Sequence, residues 1–538
     1  MNAPLLSVHN LTISTRGRRL VNGVSLELEA GRTLAVIGES GSGKSLTALT
    51  LLGLLPEGLD IDPATRLAFA GHALAPRDER GWRPLRGRRI AMVFQDPMAC
   101  LNPFMRIDQQ IDEALRRAGV TGRAARARTV VERLAEVELP DPAALARRYP
   151  HQLSGGQQQR AMIAMALAGE PDMLIADEPT SALDASVQAD IVALLARLQQ
   201  RRALAMLIIT HDLSVAGALA HEIVVMQRGR IVERGAAERV LTRPSDVYTM
   251  RLVGARHRLD GADASPPDAA KTTKDATPVE ALVQAEGVCI DYPARRLFDR
   301  PFRAVHDAAL RLTPGRTVGL LGESGSGKST LAAALAGLRP LAQGRVRVLG
   351  HDLTSGGPGL PQALRRQCQM VFQNPYGALN PRLTIGRALG EPLGLAGLAA
   401  REHPARIAAA LDEVGLEREH MARFPHQLSG GQRQRACIAR ALLCEPRVLI
   451  CDEVISALDM SVKVQILELL RRLQTERGFA MLFVGHDIEA VRWISDEVLV
   501  MNRGRIVERC DAAMLDGTHV RDPYTRRLLA SRLLRQVA

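Results

Sequence analysis

Eight residues, Gly38, Glu39, Ser40, Gly41, Ser42, Gly43, Lys44 and Ser45, spell glycine, four residues, glycine, lysine, serine. The same eight letters return as Gly322, Glu323, Ser324, Gly325, Ser326, Gly327, Lys328 and Ser329. These types at this spacing suit the holding of a polyphosphate. Gly41 and Gly43 let the backbone turn tightly and aim several N–H groups at one anion. A helix starting near Lys44 turns its positive end to the phosphates. The Lys44 ammonium reaches the outer phosphates, and the Ser45 hydroxyl is a ligand for Mg²⁺. Lys328 and Ser329 repeat both roles.

Other chemistry-bearing groups follow in the same order in both halves. Met173 to Ala176 is an apolar run ending in Asp177 and Glu178, and the second half has Asp452 and Glu453 at the matching place. An apolar run of this length suits a parallel strand buried on both faces. A carboxylate at its end holds Mg²⁺ directly or through water. His211 and His486 follow later strand ends, and Gln95 and Gln373 each follow Met-Val-Phe. Ser154, Gly155, Gly156 and Gln157, repeated as Ser429, Gly430, Gly431 and Gln432, read as helix starts. Unpaired N–H groups at such a start make a second anion cradle with no phosphate loop of its own.

The elements that must position these groups alternate. Leu5 to Ile13 and Val24 to Leu28 predict antiparallel strands. Leu34–Ile37 predicts a short buried strand, and Leu46 onward a helix. Met92–Phe94 predicts another strand, and Ile107 to Arg148 a helical insert with Val130, Leu134 and Val137 at helical spacing. A helix over Gln158–Ala168, a strand over Met173–Glu178, a helix over Val187–Arg201 and a strand over Leu204–Ile209 complete the half. The pattern is α/β: a mostly parallel sheet with an antiparallel part and a helical insert. The motif order repeats, so the chain is a tandem duplication. The expected boundaries are one domain over 1–254, a flexible linker over 255–280 whose polar, small residues lack any period, and a second domain over 281–538.

A length of 538 residues is too great for one core. Seventy Lys+Arg against 58 Asp+Glu give +12, nearly all of it from arginines scattered over the chain. Scattered charge reads as a solvated surface rather than a nucleic-acid patch. No run of about 18 apolar residues crosses a membrane, and the N-terminus lacks a basic and apolar signal pattern, so the chain is expected in the cytoplasm. Seven cysteines form no C-x-x-C pair, against a zinc ribbon or a disulfide framework. Cys444 and Cys451 lie in apolar runs, as small buried hydrophobes.

Taken together, the phosphate loop, LSGGQ at Leu153–Gln157 and Leu428–Gln432, the strand ending in Asp-Glu and the later histidine resemble the ATP-binding cassette (ABC) family of ATPases, twice over nearly the whole chain. The resemblance implies that Glu178 and Glu453 polarise the attacking water, that His211 and His486 contact the γ-phosphate, and that Gln95 and Gln373 reach Mg²⁺ and water. With Ser45, Asp177, Ser329 and Asp452 they make the expected metal set. It also implies composite ATP sites, Gly38–Ser45 with Ser429–Gln432 and Gly322–Ser329 with Ser154–Gln157.

Two departures set the halves apart. Relatives place an aromatic residue under the adenine; Tyr292 fits, whereas the first half has about Thr15. The usual Pro179-Thr180 is replaced by Val454-Ile455, which leaves room for a shift of the loop carrying Asp459.

The segments from Gln95 to Pro103 and Gln373 to Pro381, with Pro244–Thr249 and Asp522–Thr525 in the tails, look like the fused double form serving importers of glutathione, oligopeptides or peptide antibiotics. That resemblance implies two transmembrane permease subunits and an extracytoplasmic binding protein as partners, a peripheral place at the cytoplasmic face of the inner membrane, and no nucleic acid. No cysteine lies between 230 and 255, so no iron–sulfur centre is expected there. A soluble double-cassette ATPase acting on ribosome or DNA, or a fused sugar-importer ATPase, are the alternatives. The short Pro/Ala-rich linker and the missing zinc cysteines weigh against the first, and the absence of a degenerate half against the second.

Overall fold

A computed structural model describes residues 4–181, 183–260, 280–293, 301–354, 359–456, 458–516 and 518–536. The chain divides into two compact units, Met1–Gly254 with Leu533–Ala538, and Ala255–Arg532.

In the first unit Leu6–Thr15 pairs antiparallel with Arg18–Leu28 on one side and Arg66–Phe69 on the other, with His72–Leu74 at the far edge. The second of these strands begins well before Val24. Register shifts between Val8 and Ser14, with left-handed Asn10 (φ 53°) and Gly23 (φ 69°), break the alternation that would have shown it.

The second sheet runs Arg230–Ala236, Glu222–Gln227, Thr33–Ile37, Ala205–Thr210, Met173–Asp177, Ile90–Val93, parallel except for its outer hairpin. Its three central strands, Thr33–Ile37, Ala205–Thr210 and Met173–Asp177, are buried at every residue, as uninterrupted apolar runs require. Each buried Leu, Ile or Val there contributes about 1.5–3 kcal/mol. The phosphate loop, the histidine and the carboxylates therefore leave the carboxyl ends of three adjacent strands.

The helical insert is three helices, Ile107–Ala118, Arg123–Glu136 and Pro142–Ala146. Ile107, Ile111 and Leu115 form the buried stripe of the first and pack with Val130, Leu134 and Val137. Gly119 at φ 93° ends that helix.

The second unit repeats the plan. Phe302–Leu312, Val283–Tyr292, Gln343–Val348 and His351–Leu353 form the antiparallel sheet. Cys368–Val371, Val448–Asp452, Ala480–Gly485, Thr317–Leu321, Glu497–Asn502 and Arg505–Asp511 form the other. Its insert carries Ile385–Leu395 and His403–Glu413, then a 3₁₀ turn, Arg418–Ala422. Cys444 and Cys451 are buried, and burial pushes both thiols up.

The linker expected over 255–280 overlaps the end of a helix. Residues 255–260 continue the helix Val247–Asp260, in which Ala255 and Leu259 are buried; 261–279 lie outside the described residues.

Candidate active site

Thr33–Ile37 feeds directly into the phosphate loop. A Cβ on Gly38 would meet the Met226 carbonyl at 2.1 Å, so only glycine lets the loop pass. Gly43, at φ 98°, opens the helix Lys44–Thr50. The buried Lys44 ammonium donates to the Gly38 and Glu39 carbonyls at 2.7 and 2.8 Å, and Lys328 to those of Gly322 and Glu323, both at 2.8 Å. A buried ammonium needs such partners. Ser42 and Ser326 each bury a hydroxyl that has no hydrogen-bond partner among the described residues. Each unit thus offers an unspent polar atom and a buried cation in a loop of permissive backbone, which fits a polyphosphate.

The Ser45 hydroxyl donates to Asp177 Oδ1 at 3.3 Å, and Ser329 to Asp452 Oδ1 at 2.9 Å. Burial, reinforced by the neighbouring glutamate's charge, pushes the Asp177 and Asp452 carboxyls up, against the opposing serine hydrogen bond and lysine. A paired hydroxyl and carboxylate, with the carboxylate's charge poorly solvated, fits a hard divalent cation. Gln95 and Gln373 reach the glutamates that directly follow these aspartates. Their amide nitrogens donate to Glu178 Oε2 at 2.9 Å and Glu453 Oε2 at 2.7 Å.

Each of these glutamates is the first residue beyond its strand and holds the left-handed backbone, φ 48° at Glu178 and 47° at Glu453. That conformation costs a non-glycine residue on the order of 1 kcal/mol and turns the side chain out of the sheet. His211 Nδ1 lies 3.1 Å from Glu178 Oε1, within hydrogen-bond range, while His486 Nδ1 lies 3.6 Å from Glu453 Oε2, beyond it. Lys328 Nζ stands 3.9 Å from Glu453 Oε1. Burial pushes both glutamates up, but the histidine contact and the lysine charge outweigh it and hold both carboxyls below the usual range. Both are ionised at neutral pH, as a proton acceptor must be.

Ser154 and Ser429 cap the helices Gly155–Ala166 and Gly430–Leu442 with reciprocal bonds to Gln157 and Gln432. The second glycine of each motif is a packing residue. A Cβ on Gly156 or Gly431 would lie 2.5 Å from Val187 or Val462.

Asp459, in the loop after Val454-Ile455, keeps the backbone of its counterpart Asp184. Asp184 and Asp459 cap their helices at φ −64°, ψ 154° and φ −63°, ψ 154°. The bracing has been exchanged instead. In the first unit Gln188 donates to Thr180 Oγ1 and Asp212 Oδ2, both at 3.1 Å; in the second, Ile455 is buried and Lys463 pairs with Asp487 at 3.5 Å. Tyr292 bonds the Thr330 hydroxyl at 3.1 Å, beside the phosphate loop's helix, and the Arg339 guanidinium lies 4.2 Å over its ring. Thr15 donates its hydroxyl to the Gly58 carbonyl at 3.2 Å.

Sequence reasoning passed over Gln188, Lys463, Tyr248 and Tyr524 as site residues. For the two tyrosines a signal was present, since both tails carry Tyr-Thr.

Two phosphate loops, each with an adjacent Ser–Asp pair and an ionised glutamate, define a nucleotide hydrolase built twice. A family profile described as "ABC transporter" matches residues 21–181 and 305–456, more than half of the chain. The chain belongs to the ABC transporter family and is an ATPase with two cassettes. It is 42% identical to the peptidoglycan transport ATP-binding protein YejF of Agrobacterium fabrum, over 98% of this chain and 96% of that protein. It is likewise 42% identical to the glutathione import ATP-binding protein GsiA of Salmonella paratyphi A, and 40% to that of Escherichia coli K12, each over 98% of this chain and 89% of the relative.

Proposed function

We propose that this chain is the ATP-hydrolysing subunit of an importer of peptides or peptide-like solutes, acting on two transmembrane permease subunits supplied by an extracytoplasmic binding protein. The observation that supports the reading is that lysine, Ser–Asp pair, glutamate and histidine gather at the same strand ends in each cassette. The names of the relatives, peptidoglycan transport and glutathione import, support a peptide-like cargo. No described helix is long and apolar enough to cross a membrane, which agrees with separate permease chains. The proposed place is the cytoplasmic face of the inner membrane.

In this reading Lys44 and Lys328 bind the outer phosphates, and Glu178 and Glu453 accept the proton of the attacking water, oriented by His211 and His486. Ser45 and Asp177 with Gln95, or Ser329 and Asp452 with Gln373, would hold a Mg²⁺ ion, which would supply charge neutralisation at the phosphates. Each phosphate loop is completed by the other cassette's signature helix, Ser429–Gln432 or Ser154–Gln157, across domains of 1–254 and 281–538. In the second cassette a groove of about 1330 Å³, lined by Phe372, Gln373, Glu391, Leu395 and Arg440, runs from the glutamine loop to the helical insert and takes a cytoplasmic helix of the permease.

Reconstitution with a peptide-importer permease pair and its binding protein tests the reading. Peptide-loaded binding protein is expected to stimulate ATP hydrolysis severalfold. Stimulation by sugar alone, or recovery of the chain on ribosomes and not with permease, overturns it.

A further inference from the structure

The tails that follow the last sheet strands make the same contact in both cassettes. The backbone N–H of Glu39, second residue of the phosphate loop, donates to the Tyr248 hydroxyl at 2.9 Å, and that of Glu323 to the Tyr524 hydroxyl at 3.1 Å. The other side of the Glu39 residue is held by the loop. Its carbonyl accepts from Lys44 Nζ at 2.8 Å and from the Ser42 N–H at 3.2 Å. The Glu323 carbonyl does the same with Lys328 at 2.8 Å and Ser326 at 3.1 Å.

Each tyrosine is itself fixed. Its ring is buried, Tyr248 in the cluster that holds Ile37 and Tyr524 in the one that holds Leu321, the residues just before the loops. Its own N–H donates to the capping carboxylate of Asp246 or Asp522, at 2.8 Å in both. That aspartate's N–H donates in turn to a glutamate on the last strand, Glu233 at 3.1 Å or Glu508 at 2.8 Å. The flanking positions have drifted, Val247 against Pro523 and Met250 against Arg526, while the glutamate, aspartate and tyrosine are the same in both copies. Core packing alone needs a ring and no hydroxyl.

We propose that Tyr248 and Tyr524 are nucleotide-positioning residues: each hydroxyl fixes the orientation of the loop's second residue, and so the tail of each cassette sets how well its phosphate loop receives ATP. When Lys44 turns to a phosphate it leaves the Glu39 carbonyl, and the hydroxyl then keeps that segment from rotating and dragging the Ser42 turn with it. The inference concerns nucleotide binding by the ATPase and does not depend on the transported solute.

The test uses the full chain with Tyr248→Phe and Tyr524→Phe, singly and together, and Leu252→Ala as a packing control on the buried face of the Tyr248 helix. Losing one hydrogen bond of ordinary strength is expected to raise the Kd for MgADP at one site, and the KM for ATP, about fivefold, with kcat within about twofold. Leu252→Ala is expected to lower the melting temperature and leave KM in place. Unchanged Kd and KM in both phenylalanine variants overturn the proposal. So does a rise in KM that Leu252→Ala reproduces at equal loss of stability. No permease enters the measurement, so failure of the transport reading leaves this result intact, and the converse holds.

Discussion

The first and second cassettes carry the same reactive letters and brace them differently. Lysine, serine, aspartate, glutamate, glutamine and histidine recur at matching places, and both glutamates sit in the same strained backbone. Around them the supports have been replaced in sets. Thr180, Gln188 and Asp212 form a hydrogen-bonded brace where Ile455, Lys463 and Asp487 supply a buried side chain and an ion pair. In the first signature helix Gln158 donates to the Pro150 and Leu153 carbonyls. In the second, Arg433 keeps the equivalent bond, to the Pro425 carbonyl at 3.4 Å, and adds a stack 3.8 Å over Tyr376 of the glutamine loop. Met98 occupies the place of Tyr376 in the first cassette. Chemistry at phosphate and water fixes atom types, whereas a brace has only to hold a loop, and several combinations do so.

The comparison breaks most visibly where both cassettes have no room. Gly156→Ala and Gly431→Ala each press a Cβ on a valine whose branched side chain is stiff in its helix. Each is expected to cost about 1–3 kcal/mol, to a similar extent, in denaturant unfolding. A cost confined to one cassette would show that the signature helices pack differently. A smaller effect separates the base sites. Tyr292→Ala is expected to weaken nucleotide binding about tenfold at the second site through lost stacking, and Thr15→Ala to change the first site less than about twofold. Equal losses in equilibrium titration would mean that Tyr292 stacks on Arg339 and not on the base.

The smallest effect appears only in acid. Burial pushes the Glu233 carboxyl up, but the N–H groups of Ser245 and Asp246 and the Ser245 hydroxyl hold it at about 2, against an ordinary 4.5. A depressed folded-state pKa contributes stability that is fully present above about 4.5 and lost as pH falls towards about 2. Glu233→Gln is therefore expected to flatten the acid limb of stability between those pH values and to leave the neutral plateau's slope unchanged. An unaltered acid limb in urea titrations contradicts the assignment.

Much of the site was legible because its parts are short and local. A phosphate loop is eight consecutive residues, and an apolar strand ending in Asp-Glu announces both its burial and its chemistry. What stayed hidden depends on distance along the chain. Nothing near Gln188 says that it bridges Thr180 and Asp212, and nothing near Tyr248 says that it reaches Glu39. The left-handed turn at Glu178 and Glu453 was equally invisible, since glutamate has no preference for it and the strand imposes it. The sequence also left open what Val454 and Ile455 do near Asp459; both are buried, and the Asp459 cap has the backbone angles of Asp184.

The central claim is that both cassettes hydrolyse ATP with Glu178 and Glu453 as bases. Steady-state ATPase activity of Glu178→Gln, Glu453→Gln and the double variant, in the full chain, tests it most directly. The double variant is expected to lose about a hundredfold or more in kcat, and each single variant about half or more. Full activity in both single variants would contradict it.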